Sequence, residues 1–300
     1  MSGHRRASSF APCKSSKIAA FVYCIAIGII CWPLTTSSTT RSTDCLTLTF
    51  EEQFDTANTT QSVPKGWKTS YIWGNDITIN NELQYYLQPD KNQASPFRIK
   101  QGILSIVARP ASAQQRDTLP AGKQFTSGLL TTENLFAQQY GRFEIRAKMP
   151  RGQGLWPAFW LLPKFDKWPE GIAILPEIDV VEFLGHQPNT LHTTVHSNQS
   201  GSLKSRAHEH QSKADLTAAF HDYAVEWDAT EIRWYLDGKQ LAKEATPQDL
   251  RQPMYLLLNL AVGGNWPGKP DASTQFPAHF MIDRVRVYQI DEKCRARQRQ

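Results

Sequence analysis

Along this chain, apolar and polar residues alternate one by one far more often than they recur at helical intervals. From Gly141 to Met149, Phe143, Ile145, Ala147 and Met149 fall on one side while Arg142, Glu144, Arg146 and Lys148 fall on the other, the period of a half-buried strand. Ile232, Trp234 and Leu236 repeat the pattern up to Asp237-Gly238, beyond which a second short run follows. Asp-Gly between two such runs predicts a tight antiparallel hairpin. Further strands are expected at 103–108, 128–133, 223–228, 255–262 and 282–290, each bounded by Gly, Pro, Asn or Asp. Helical expectations are confined to a short helix at 214–220 and a turn at 248–251. Many short strands in a chain of this size predict an all-β fold, an antiparallel β-sandwich of the jelly-roll type.

One stretch breaks the alternation. In Leu175-Pro-Glu-Ile-Asp-Val-Val-Glu-Phe-Leu-Gly185, three acids interrupt an apolar strand. A regular strand would put Glu177 and Asp179 on one face but Glu182 on the other, in the core, where a lone carboxylate costs several kcal/mol. An extra residue inserted as a β-bulge near Val180 or Val181 would return Glu182 to the face of the other acids. The Cα atoms of Glu177 and Glu182 would then stand roughly 13 Å apart at ~3.3 Å per residue, and two leaning side chains can close most of that. Carboxyls about 5–5.5 Å apart suit double displacement at a sugar with retention of configuration, whereas an inverting pair stands about 6.5–9.5 Å apart. The charge of Asp179 between them would help keep one glutamate protonated for acid duty.

Length and charge narrow the partner. Three hundred residues, 40% of them hydrophobic, suffice for one sizeable domain with its own core. The formal charge is +5, but Arg5, Arg6, Lys14, Lys17 and Arg41 lie in a first stretch without acids, so the remaining body carries no net charge. Such a body gives no support to nucleic acid as a partner, and a neutral substrate is expected. The basic start, the apolar run from Ile18 to Trp32 and the Ser/Thr-rich stretch from Thr35 to Thr43 are ordered like a secretory signal. Residues 1–43 are therefore expected to be a signal peptide, or a signal anchor plus linker. A secreted or periplasmic location follows, with membrane attachment only through that segment if it is uncleaved. A catalytic domain is expected at 44–291 and a basic tail at 292–300. Outside the leader the cysteines are Cys45 and Cys294, near the two ends of the domain. Termini often lie close together, so an exported protein is expected to join them by a disulfide, with two unpaired thiols as the alternative.

Glu-Ile-Asp-Val-Val-Glu, preceded by Gly154-Leu-Trp-Pro-Ala-Phe-Trp160 and followed by His196, resembles glycoside hydrolase family 16. The likeness runs from about Leu46 to Ile290, with support from Asn81-Glu-Leu-Gln-Tyr-Tyr86, Ala224-Val-Glu-Trp227 and Leu258-Asn-Leu-Ala-Val-Gly-Gly-Asn-Trp-Pro267. It implies a concanavalin A or legume-lectin-like jelly roll with a concave substrate cleft. The six-residue acid motif resembles the laminarinase type, implying an endo-acting retaining enzyme on β-1,3-glucan. By this resemblance Glu177 is the nucleophile, Asp179 the assisting acid and Glu182 the acid/base. Trp156 and Trp160 would line the cleft, where an indole can pack on a sugar face and donate its N–H. His196 would bond a carboxylate or sugar, and Asn81, Arg146, Asn265 and Trp266 would serve sugar subsites. No catalytic cofactor is implied. A structural calcium is, held by Asp283 and the backbone of Gly102 with a third ligand near Gln53, since calcium takes oxygen ligands. A monomer is expected. Other polysaccharides acted on within this fold (mixed-linkage glucan, agar, carrageenan), transglycosylation, and a non-catalytic glucan-binding role remain as alternatives.

Overall fold

The structure, a computed structural model, describes residues 45–55, 63–77, 79–89, 94–165 and 175–291, together with Lys293 and Ala296. The chain divides after Thr40, and the described residues all belong to the unit Arg41–Gln300. The expected leader, the linker, most of the basic tail and Cys294 lie outside the described residues. No described helix is long and apolar enough to cross a membrane.

Sixteen described strands form two sheets. The smaller sheet contains β6 (Leu129–Thr131), β8 (Leu155–Pro163), β9 (Glu177–Phe183), β10 (Thr190–Ser197), β11 (Lys204–Gln211) and β15 (Met254–Val262), in the order β11-β10-β9-β8-β15-β6. The larger runs from β14 (Lys239–Ala245) through β13 (Glu231–Leu236), β12 (His221–Trp227), β7 (Gly141–Lys148), β16 (Ala278–Ile290), β4 (Ile103–Pro110) and β5 (Phe125–Ser127) to β2 (Gln84–Tyr86). Beside it, β1 (Leu46–Glu52) pairs with β16 and β3 (Phe97–Lys100) with β4. Every pairing is antiparallel except β2 with β5. This is the expected β-sandwich jelly roll.

The alternation read from the sequence decides what the sheets enclose. Phe143, Ile145 and Ala147 of β7, Val225 and Trp227 of β12, and Ile232 and Trp234 of β13 meet Phe159, Leu161, Ile178, Phe183, Leu256 and Leu258 in one buried cluster. Each large apolar side chain fully removed from water there contributes about 1.5–3 kcal/mol. The opposite face of the smaller sheet carries a second apolar cluster, including Ala158, Trp160, Leu162, Tyr255 and Leu257, covered by Tyr71 from a loop and Tyr86 from β2. Successive residues of β8 and β15 thus serve alternately the sandwich core and this second layer.

The hairpin forms as expected, with Leu236 opposite Lys239 and both Asp237 and Gly238 at positive φ, the requirement of a two-residue turn that follows strand twist. The helical expectations divide. A single 3₁₀ turn occupies Gln248–Leu250, but 214–220 holds only turns. There the Asp215 carboxylate accepts from the Thr217 backbone N–H at 2.9 Å and the Thr217 hydroxyl at 2.6 Å, a local bond that competes with helix formation. An unforeseen helical turn, Ala113–Arg116, is capped reciprocally by Ser112 and Gln115.

Candidate active site

The strand bearing the three acids is central, paired with β8 on one side and β10 on the other. Its register shifts on both sides at the same place. Against β10, Glu182 faces His192 and Asp179 faces Thr194, so three steps on β9 match two on its partner. Against β8, Val181 faces Phe159 and Asp179 faces Trp160, which makes Val180 the extra residue of a bulge. Val180 and Val181 are then both buried in the core, and Glu182 returns to the face of Glu177 and Asp179. Trp234 spans the core from the other sheet and donates its indole N–H to the Asp179 carbonyl at 2.8 Å, satisfying a backbone acceptor where the ladder is irregular.

Glu177, Asp179 and Glu182 line one cleft with Trp156, Ala158 and Trp160 of β8, Asn259 and Ala261 of β15, and Tyr71, Asn80 and Glu82 from the loops. Burial first, then the charge of Asp179, pushes Glu177 well above the ordinary carboxylate range; a hydrogen bond with Asp179 and the charge of Glu182 add to this. Glu182 is raised in the same way by burial and Asp179, against donors on Trp156 and Thr194 that favour its charged form. Crowded carboxyls of this kind cannot all ionise together, so protons are held within the group. His196 brings Nε2 to 3.1 Å from Asp179 Oδ2 and 3.9 Å from Glu177 Oε1, and its Nδ1 lies 2.7 Å from the Ser205 hydroxyl. Burial opposes charge on this imidazole, but the Asp179 carboxylate outweighs it and raises the His196 pKa. Glu177, Asp179 and His196 also stand close enough to share a cation. Carboxyls set side by side along one strand of a cleft nonetheless match proton transfer and nucleophilic attack, which need no metal.

The expected sugar-contacting residues separate into three groups. Trp156 and Trp160 both face the cleft, yet their N–H groups are turned to protein: Trp156 donates to Glu182 Oε1 at 3.1 Å and Trp160 to Asn259 Oδ1 at 2.8 Å. Asn81, Asn265 and Trp266 gather in two adjoining loops. Asn81 donates to Asn265 at 2.8 Å, while the half-exposed Trp266 packs edge-on to Trp156 and against the His192 ring, at centroid distances of 5.3 and 4.7 Å. Arg146 lies apart from both groups. It belongs to β7 in the other sheet, where Phe143, Ile145 and Ala147 face the core, so the alternation turns it outward, onto Asp222 and Asp283 at 3.3 Å each.

Asp283 is engaged in that same outward network, accepting from Arg284 at 3.0 Å and ion-paired with Arg146. Gly102 is close instead to Asp55 Oδ1 and the Gln53 carbonyl, which a Cβ there would meet at 3.3 and 3.8 Å. These oxygens suit calcium, but two guanidinium groups on the Asp283 carboxylate do not, so the donor set fits the ion poorly.

Glu82 is the residue that sequence reasoning passed over, although it lay within the quoted Asn81–Tyr86 stretch. It is buried against the cleft, with Oε2 accepting from Gln84 at 2.6 Å and Oε1 from Asn80 at 3.3 Å, and burial raises its pKa. All charged side chains lining this cleft among the described residues are carboxylates.

The family model described as glycosyl hydrolases family 16 matches residues 67–286. An endo-1,3-1,4-beta-glycanase, EglC, of Rhizobium meliloti (strain 1021) is 43% identical over 82% of this chain, although the match spans 52% of the relative's length. A beta-glucanase of Rhodothermus marinus is 34% identical, covering 80% of this chain and 84% of the relative. Among solved structures, the laminarinase catalytic domain of Thermotoga maritima MSB8 superposes with a TM-score of 0.66 at 32% identity, over 82% of this chain and 99% of that one. The chain thus spans about half the length of the first curated relatives it matches.

Proposed function

The chain belongs to glycosyl hydrolase family 16, and from that premise we propose that it is an endo-acting retaining glycosidase that cleaves internal β-1,3 bonds of a neutral glucan. The bulge at Val180 carries the reading, because it sets Glu177 and Glu182 on the same cleft face with Asp179 between them. In the first step Glu182 gives its proton to the glycosidic oxygen while the Glu177 carboxylate attacks C1; the C1–O bond breaks and the reducing-side chain leaves as an alcohol. In the second, the Glu182 carboxylate takes a proton from water as the water oxygen attacks C1, and the bond to Glu177 breaks. Asp179, held by His196, supplies the negative charge that keeps a proton on its neighbours.

The substrate is supported by the names of the relatives and by a cleft whose carboxylates disfavour sulfated or uronic chains. A second reading, mixed-linkage glucan, is favoured by the 43% identity to a relative named as a 1,3-1,4-glycanase. Product analysis on laminarin, lichenan, agarose and carrageenan separates them. Oligosaccharides from laminarin are expected; fragments from another polymer with none from laminarin would refute the assignment. Export and a Cys45–Cys294 disulfide belong to the same proposal, supported by the order of the leader and by Cys45 lying buried beside the end of β16.

A further inference from the structure

Resting on that reading of Glu182, we propose that Trp156 is a positioning residue for the acid/base: its indole N–H reserves Glu182 Oε1 as an acceptor and leaves Oε2 to exchange the proton with the glycosidic oxygen. The basis is geometric. Trp156 and Glu182 stand on neighbouring strands, with Ala158 directly opposite Glu182, and the indole Nε1 lies 3.1 Å from Oε1. An indole N–H can donate but never accept. When Glu182 is protonated, Oε1 is therefore the better carbonyl oxygen and Oε2 the better hydroxyl. When Glu182 is ionised, the same bond stabilises the carboxylate that must activate water. Thr194 also bonds Glu182, but its hydroxyl can turn to accept, so the indole is the donor that serves both halves of the reaction without moving.

The indole is held from outside as well. Trp266 meets it edge-on with the planes at 90°, and His192, opposite Glu182 on β10, packs against Trp266. The consequence differs from that of a sugar platform. Stacking on a sugar uses the face of the ring and leaves the N–H free for a hydroxyl, whereas here the N–H is committed to the carboxylate.

Ionisable groups around Glu182 on every packed element set the background. They are Glu177 and Asp179 on its own strand, His192 and His196 on β10, Glu209 on β11 opposite His192, and Tyr71 and Glu82 from the loops lining the cleft. On the cleft-facing side, β8 and β15 add Trp156, Ala158, Trp160, Asn259 and Ala261, none of which ionises. A substitution at 156 that keeps the aromatic shape changes none of these charges.

The experiment is a pH profile of kcat/KM on laminarin for the wild type, Trp156→Phe, and a protein carrying the benzothiophene isostere of tryptophan at 156, with melting temperatures measured alongside. Losing the donor is expected to move the limb assigned to Glu182 upward by roughly half to one pH unit. It should lower kcat more than it raises KM, and the loss should be smaller on aryl glycosides, whose leaving groups need little protonation. The isostere keeps the ring volume, so it reports even if Trp156→Phe folds poorly. An unmoved limb with KM raised and kcat preserved would overturn the proposal and leave Trp156 as a sugar platform. Glu182→Gln run in parallel tests the underlying reading separately: full activity there would remove Glu182 from the mechanism whatever Trp156 does.

Discussion

At the scale of single residues, the cleft works by making carboxyls uncomfortable. Burial and the Asp179 charge raise both glutamates, so one stays protonated at a pH where a solvated glutamate would be ionised. The sign follows directly: activity needs Glu182 protonated, so it falls as pH rises through the raised pKa of Glu182, and the alkaline limb lies above the ordinary carboxylate range. Glu182→Gln is expected to lower kcat on glucan by about 10²–10⁴-fold, the usual contribution of a positioned proton donor, with a weaker effect on aryl glycosides. Full kcat on glucan would contradict the assignment. Glu82 makes a different prediction because it takes no part in bond breaking. Each of its oxygens already accepts one protein donor, and its remaining lone pairs can accept sugar hydroxyls. Glu82→Gln should raise KM for long glucans several-fold while sparing kcat, as loss of uniform binding does; Glu82→Lys should admit sulfated laminarin as a better competitor. Unaltered KM in the first and unaltered inhibition in the second would show that Glu82 only braces its loop.

At the scale of elements, the bulge in β9 was readable because the alternation failed at a costly place: the regular register would have buried Glu182. That Trp234 would reach across to the Asp179 carbonyl was not readable, since it depends on how the two sheets face each other. Deleting Val180 removes the extra residue and leaves Glu182 four positions after Glu177, so regular alternation keeps it on the cleft face and hydrolysis should survive. A deletion variant that folds but does not hydrolyse glucan would show that the bulge does more than choose the face of Glu182. Local patterns misled where a side chain could bond its own backbone, as at Asp215, and the alternation of β7 placed Arg146 opposite to Phe143 without telling which sheet it would join. The turn after β12 offers a separate test. Asp228 is partly buried, which alone would raise its pKa, but donors from Thr230, Glu231 and Arg233 outweigh this and lower it to about 2 from 3.8. A depressed carboxylate contributes stability above its unfolded pKa and loses it as pH falls through the folded one, here between about 3.8 and about 2. Asp228→Asn should therefore cost roughly 1–2 kcal/mol near neutral pH. Its unfolding curves should converge with those of the wild type across that acid window, and a gap that stays constant would assign the loss to geometry rather than charge.

At the scale of the whole molecule, the first and last strands of the sandwich are partners. Leu46 faces Ile290 along the β1 and β16 ladder, and the Asp291 N–H reaches the Cys45 carbonyl at 2.9 Å. The sequence showed two cysteines far apart along the chain; only the closure of the larger sheet shows that the segment leading to Cys294 starts beside Cys45. Glu82 was hidden for the same reason, because the loop bearing it reaches the cleft through contacts distant in sequence: the Leu83 N–H bonds the Val262 carbonyl at 2.8 Å, and Gly263 packs so closely on Leu83 that a Cβ there would clash. A bond between Cys45 and Cys294 would close nearly the whole domain into one covalent loop, and loops of such length restrict the unfolded chain most in the entropic account. Protein made in an oxidising compartment is expected to give a single Cys45–Cys294 cross-linked peptide in non-reducing mass spectrometry. Reduction, or Cys45→Ser, should cost roughly 2–5 kcal/mol of unfolding free energy while leaving kcat on laminarin unchanged, since the acids sit in the other sheet. Two alkylatable thiols in the exported protein would refute the pairing and leave the ends of the sandwich held by the β1 and β16 ladder alone.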